Sequence, residues 1–327
     1  MMKKRLSPAV IAISGLFALL MLGISIWAND YLLTIINMSL IYFIGALGIS
    51  VLMGMTGYMM LGSASFMGIG GFISANFAVK LGMPVWLSII LATIATGIIG
   101  AIIGSALVKL NGAFFAFASL GFTQIVSTFL TNYVPFTGGA DGMQKIPTLS
   151  LGGFKVTSLL QWFFVLCIIA FGCGLLVERI RKTQLGRSLE SIRDNSVAAE
   201  TLGVNTYLTK IYAFTIATMF AALSGALIAH HNSVISASLF SSVTSFRWFM
   251  MVMCGGVNST LGAFIGTVVF TFLPEVLRFT KLFINMLFGV AIILTMIYMP
   301  DGLMGVLQSI AARIKNKKKE RKEKQAK

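Results

Sequence analysis

Between Ala9 and Met299 the chain is divided into successive apolar runs, most of them long enough to cross a bilayer, and this repetition constrains the fold more than any other feature. A hydrocarbon core of about 30 Å is spanned by about 20 helical residues. Inside it every backbone N–H and C=O must find a partner within the protein, which leaves helices or a closed barrel. The runs fall at 9–28, 32–54, 58–79, 84–108, 112–133, 158–177, 210–231, 240–255, 258–274 and 282–299. A transmembrane barrel requires alternating polar and apolar residues in segments of about ten, and that alternation is absent. The expected fold is an all-α polytopic membrane protein with about ten transmembrane helices. Composition agrees: 11% of residues are charged, against about 25% in an average soluble domain.

The formal net charge of +15 invites a nucleic-acid reading, but its distribution favours membrane topology. Lys3, Lys4 and Arg5 open the chain, six basic residues lie in 178–210, and nine follow from Arg313. Basic residues gathered beside membrane spans mark the cytoplasmic side. With both termini inside, ten spans place 178–209 in the cytoplasm after the sixth. The tail KNKKKERKEKQAK is read as a solvated end near anionic lipid headgroups, with no nucleic-acid partner.

Several other features carry no chemistry. Residues 1–28 have the charge and apolar core of a signal peptide, yet the run is long enough to span and no small-x-small site follows, so a retained first helix is expected. Cys167, Cys173 and Cys254 sit in apolar runs without metal-ligand spacing. Adjacent His230 and His231 point about 100° apart on a helix and cannot share a metal from one face. The stretch 240–274 is expected to break near Gly255–Gly256–Val257–Asn258, giving two short halves. Gly100 with Gly104, and Gly262 with Gly266, have the four-residue spacing that lets helix backbones approach.

The most polar internal segment is LGRSLESIRDNSVAAETLGVN, residues 185–205. Leu185, Leu189, Ile192, Ser196, Ala199 and Leu202 recur at three- and four-residue spacing, a weakly apolar helical stripe. Arg187, Glu190, Arg193, Asp194 and Glu200 lie mainly off it. Asp194, Asn195 and Ser196 can each cap a helix, and Gly203 can end one. Two short helices with a break near 194–196 are expected, one face toward the membrane domain and the other presenting charges.

This segment resembles the cytoplasmic coupling loop of ABC-type importer permeases, with Ala198–Ala199–Glu200 followed by Gly203. More narrowly, the chain resembles the branched-chain amino-acid family of these permeases. LGSASFMGIGGF (61–72), TGGADGM (137–143), the coupling segment and GGVNSTLGAFIG (255–266) come in the family's order, and the likeness runs from about Ile36 to Leu307. One departure is Ser63, where the family often has a histidine, so no role tied to that imidazole transfers. The resemblance implies the type II ABC importer permease fold in a bacterial cytoplasmic membrane. It implies as partners a second related permease, two cytoplasmic ATPases that bind ATP–Mg, and an external solute-binding protein. No G-x-x-x-x-G-K-[ST] phosphate loop occurs here, so no cofactor is expected in this chain and ATP hydrolysis falls to partners. The expected layout is an N-terminal tail 1–8, a permease domain 9–307 containing the coupling segment 178–209, and a basic tail 308–327.

Candidate coupling residues are Gly186, Arg187, Glu190, Arg193, Asp194, Ala198, Ala199, Glu200 and Gly203, the glycines for tight turns and the charges for contact or positioning. Ser63, Ser65, Asn76 and Gln124 are polar at membrane depth and either line a pathway or bond between helices. With Gly62, Phe66 and Gly68 they form the candidate pathway or gate. Thr137, Gly138, Gly139, Asp141 and Gly142 are read as an external mouth or a plain tight loop. Glu275, Arg278 and Lys281 are read as an interfacial turn, and Arg247 as snorkelling or facing the protein interior.

The expected function is import of branched-chain amino acids. Urea, short amides or another small solute are the alternative cargo. An ion-coupled secondary transporter would need acidic residues or histidines within the spans and an inverted repeat; the spans show almost none of the former, and no repeat is clear. An intramembrane enzyme finds no HExxH and no suitably partnered GxSxG.

Overall fold

The structure, a computed structural model, describes residues 29–276 apart from 111, 152 and 153, together with 289, 290, 293, 302, 304 and 305. The expected first span, most of the last, both tails, Arg278 and Lys281 lie outside the described residues. Eleven α-helices are described: α1 (Asp30–Thr56), α2 (Ser63–Val79), α3 (Val85–Leu107), α4 (Ala113–Asn132), α5 (Val134–Thr137), α6 (Leu159–Lys182), α7 (Gln184–Asp194), α8 (Ser196–Thr201), α9 (Thr206–Asn232), α10 (Ser242–Gly255) and α11 (Thr260–Val276). Eight coincide with expected apolar runs, α7 and α8 are the two short helices expected about a break near 194–196, and α5 is a short addition. Five are long and apolar enough to cross a membrane: α1, α3, α4, α6 and α9. Three further helices on apolar runs, α2, α10 and α11, are shorter, and the short halves expected of 240–274 are α10 and α11. At 1.5 Å per residue, α10 and α11 reach only about 21 and 26 Å.

The centre of the bundle is α1. It is apolar on all sides and almost wholly buried, as a helix must be when every face meets protein. Asp30 sits in its first turn, and Gly57, at φ 77°, closes its end by donating its N–H to the Met53 carbonyl at 2.9 Å. Around it, α3, α4 and α6 bury one face and expose the other. On α3 the exposed stripe is Ile90, Ile94, Ile98 and Ile102 at four-residue steps, a surface suited to lipid chains. The inner face of α3 carries Gly97, Gly100 and Gly104 against Met219, Thr218 and Phe214 of α9. The other small-residue pair also makes a close approach, since Gly262 and Gly266 lie against Gly255 and Met251 and lock α10 to α11. The break between these helices falls at Gly256, as the sequence predicts.

Hydrogen bonds define two ends of the bundle. At one end the Tyr207 hydroxyl donates to the Ser105 carbonyl at 2.9 Å, and α7 and α8 pack beneath α1 and α9. This is the basic face, carrying Arg181, Lys182, Arg187, Arg193 and Lys210. At the other, Met143 and Ile235 exchange backbone bonds of 2.8 and 3.0 Å. Asn37 Nδ2 donates to the Leu159 carbonyl at 3.0 Å, and the Tyr31 hydroxyl bonds the Glu275 carboxylate. A two-residue hairpin, β1 (Ser150–Leu151) with β2 (Phe154–Lys155), pairs antiparallel there in the register Ser150 with Lys155.

Candidate coupling segment, pathway face and opposite loop

On the basic face the chain leaves α6 through Thr183, whose hydroxyl donates to Ile180 O at 2.6 Å and accepts from the Gly186 N–H. A Cβ at Gly186 would lie 2.5 Å from the Arg181 carbonyl, so this tight entry requires glycine. Along α7, Leu189 and Ile192 are buried against the bundle while Arg187, Glu190 and Asp194 face outward. The break falls at Asn195, whose side-chain oxygen accepts from Val197 and Ala198 N–H at 3.0 and 3.1 Å and starts α8. Ala199 is buried and Ala198 exposed. Gly203, at φ 84°, ends α8 by donating to the Glu200 carbonyl at 2.9 Å.

The charges divide into two groups. Arg187 donates to the Lys182 carbonyl at 3.1 Å, a cation at the C-terminal end of α6. The Glu200 carboxylate accepts from the Thr206 hydroxyl, an acid beside the first turn of α9. Arg193 pairs with Asp194 at 3.5 Å, but its Nη1 turns inward, 2.6 Å from the Gly54 carbonyl and 2.9 Å from Asn258 Oδ1. Glu190 faces outward. Leu202, expected on the inward stripe, is 83% exposed, and Val197 is 69% exposed. The stripe fails there because α8 ends at Thr201 and Gly203 turns the chain, breaking the helical phase. Sequence reasoning also missed Arg181 and Asn258. Arg181 grips the Asn258 carbonyl and donates to Ser50 Oγ at 3.1 Å.

Of the candidate pathway residues, Gly62, Ser63, Ser65, Phe66, Gly68 and Asn76 are all buried inside the protein. Ser65 donates to Gly62 O at 2.6 Å, and Phe66 packs against Phe122 and Phe214. Asn76 Nδ2 donates to the Phe72 and Phe136 carbonyls at 2.7 and 2.8 Å. The Ser63 hydroxyl is buried without a hydrogen-bond partner. Gln124 differs: it is exposed near the middle of α4, with Ser242 Oγ 3.4 Å from its Oε1. Gly121, Thr128 and Asn132 share its exposed face, so the outer surface of α4 carries a polar stripe between Phe117, Ile125 and Phe129. Arg247 is half-buried in α10.

At the opposite end, Thr137 is buried, donating to Tyr133 O and accepting from Gly139 N–H, both at 3.0 Å. Gly138, Gly139 and Gly142 all have φ near 70°, and Asp141 is exposed. The loop is thus a tightly wound turn, stitched through Met143 to Ile235.

These features define a class: a multi-pass α-helical membrane protein with one largely buried central helix and a two-helix segment mounted on its basic face. The chain belongs to the family described as branched-chain amino acid transport system / permease component, whose sequence profile matches residues 31–299. It is similar to the high-affinity branched-chain amino acid transport system permease protein LivM of Salmonella typhimurium, 27% identical over 293 residues, or 83% of this chain and 69% of the relative. The Escherichia coli protein of the same description is 26% identical over the same shares. A probable branched-chain amino acid transport permease protein LivM of Methanocaldococcus jannaschii is 28% identical, covering 72% of each chain. No solved structure matches the chain.

Proposed function

We propose that the chain is the membrane-spanning permease subunit of an ATP-driven importer, carries branched-chain amino acids, and receives its drive through residues 185–205. The observation that carries this reading is the construction of α7 and α8. Leu189, Ile192 and Ala199 anchor them to the bundle, while Glu190, Val197, Ala198 and Leu202 are exposed. Solvent-exposed apolar side chains rimmed by charge mark a protein contact. A pair of helices anchored on one side and open on the other can pass a push from a docked partner into the bundle.

In this reading two ATPase subunits holding ATP–Mg dock on the basic face, which is cytoplasmic. A second related permease faces α4, and an external binding protein meets the 137–143 loop. The cargo path runs along the polar stripe of α4, because an exposed glutamine midway along a span costs free energy unless water or protein covers it. That stripe bears no formal charge, which suits passage of a net-neutral zwitterion without tight binding.

The test is reconstitution. Vesicles holding the chain with its ATPases and second permease should accumulate leucine, isoleucine or valine when binding protein and ATP are supplied, and should not accumulate urea. Accumulation against a gradient with the ATPases left out would overturn the reading.

A further inference from the structure

Arg187 and Glu200 bond only to residues near them in sequence, at Lys182 and Thr206, whereas Arg193 reaches a residue of a different motif, Asn258, which the end of α6 also grips. Asn258 lies in the turn between α10 and α11. Its side-chain oxygen accepts from Arg193 of α7 at 2.9 Å, and its backbone carbonyl accepts from Arg181 at the end of α6. The same guanidiniums reach the last turns of α1, Arg193 at the Gly54 carbonyl (2.6 Å) and Arg181 at Ser50 Oγ (3.1 Å). Ser50 in turn donates to the Val257 carbonyl at 2.9 Å. At Gly54 an added Cβ would lie 2.5 Å from that carbonyl, so α1 and the turn touch backbone to backbone.

The repulsion between the two guanidiniums is offset by Glu178 and Glu190 near Arg181 and by Asp194 beside Arg193, so both cations are held on this turn, which is more than capping it requires. A single serine already caps α11 locally, since Ser259 Oγ accepts from the Gly262 N–H at 3.2 Å. The bodies on either side are stiff. Leu189 and Ile192 hold α7 against the bundle, and glycine contacts lock α10 to α11. Between these bodies lie directional hydrogen bonds, which can shift as a unit where interdigitated apolar side chains cannot.

We infer that Asn258, gripped by Arg181 and Arg193, is the joint through which movement of the coupling segment reaches the α10–α11 hairpin, and that Arg193 is a positioning residue of transport and not a contact to the ATPase. This rests on the reading of 185–205 as a docking segment.

The test uses the whole reconstituted complex, with ATP hydrolysis and leucine uptake measured together. Arg193→Ala and Asn258→Ala should both retain the ATPases on purification and keep hydrolysing ATP, while uptake per ATP falls roughly tenfold, the scale of a coupling loss of 1–2 kcal/mol. Because the two act through each other, the double variant should be no worse than either alone. Asn258→Asp, which keeps an oxygen for Arg193, should restore most of the coupling. If Asn258→Ala does not accumulate, Asn258→Ser, whose hydroxyl is too short to reach the guanidinium, carries the same comparison. Single-variant losses that multiply in the double would overturn the joint, as would unchanged uptake per ATP. Loss of the ATPases from the Arg193→Ala complex would instead make Arg193 a docking contact. Failure of the docking reading itself would appear in the unaltered complex, as uptake independent of the ATPases.

Discussion

The amide nitrogen of Asn76 spans from α2 to the Phe136 carbonyl 2.8 Å away, tying a membrane helix to the short helix α5 that follows α4. Asn76 also bonds its own helix at Phe72, and it is buried. Its geometry is that of a structural tie. Asn76→Leu, similar in volume, should lower stability by about 1 kcal/mol, between the average interhelical bond in a membrane and a typical buried bond in water. Thermal unfolding in detergent would show a lower midpoint, with uptake per folded molecule unchanged. A variant that unfolds like the parent yet has lost uptake would place Asn76 on the cargo path.

On the opposite face, Leu202 and Val197 are largely exposed. Their replacement by Glu and Asp should leave folding within about 0.5 kcal/mol of the parent. Each would place a charge where an apolar side chain is proposed to enter an ATPase groove. Losing a buried leucine there costs about 1.5–3 kcal/mol, enough to weaken retention of the ATPases by more than about tenfold. Affinity purification through a tag on this chain, followed by quantification of the ATPases, measures it. Undiminished retention in both variants would remove α8 from the docking surface.

The helices were legible because apolar length is a local property. The run 32–54 became α1 at 30–56, and the break after Gly255 was readable from two adjacent glycines. The cap at Asn195 was equally local, since its bonds reach only two and three residues ahead. What sequence could not reveal was where long side chains end. Arg193 reads as one charge among several on a solvated helix, yet its partners lie 139 and 65 residues away. For the same reason Ser63 and Gln124, both polar in apolar runs, look alike in the sequence, but one is enclosed and the other faces outward. Leu202 continues the helical period one residue beyond Thr201, where α8 ends before Gly203 turns the chain, and so it faces outward.

Glycines at the close approaches should tolerate a methyl group in a graded way. An added Cβ at Gly70 would lie 2.5 Å from the Ala222 Cα, backbone that cannot yield without moving α9. At Gly104 the nearest atom is a Phe214 ring carbon at 2.7 Å, and the ring can swing. At Gly172 nothing lies within 4 Å. Gly70→Ala should therefore cost about 1–3 kcal/mol as overpacking, and Gly104→Ala less. Gly172→Ala should gain about 0.5–1 kcal/mol from helix propensity. Thermal midpoints of the three variants in one detergent test the order, and a Gly70→Ala protein as stable as Gly172→Ala would contradict the packing.

The polar stripe of α4 makes the sharpest distinction between a lipid-facing and a path-facing surface. Gln124 sits at the middle of a 20-residue helix, with Gly121, Thr128 and Asn132 on the same exposed side. If lipid covered that face, Gln124→Leu would remove an unfavourable polar group, and the protein would become more stable without functional cost. If the face lines the path, the same change takes away a hydrogen-bonding group that water or cargo uses. Leucine uptake should then fall severalfold while the unfolding midpoint in detergent stays level or rises. Ile94→Leu on the exposed stripe of α3 is the control, because both side chains suit lipid and neither quantity should move. The two variants together separate a defect in the path from one in the membrane fit, since only the former spares stability and reduces transport.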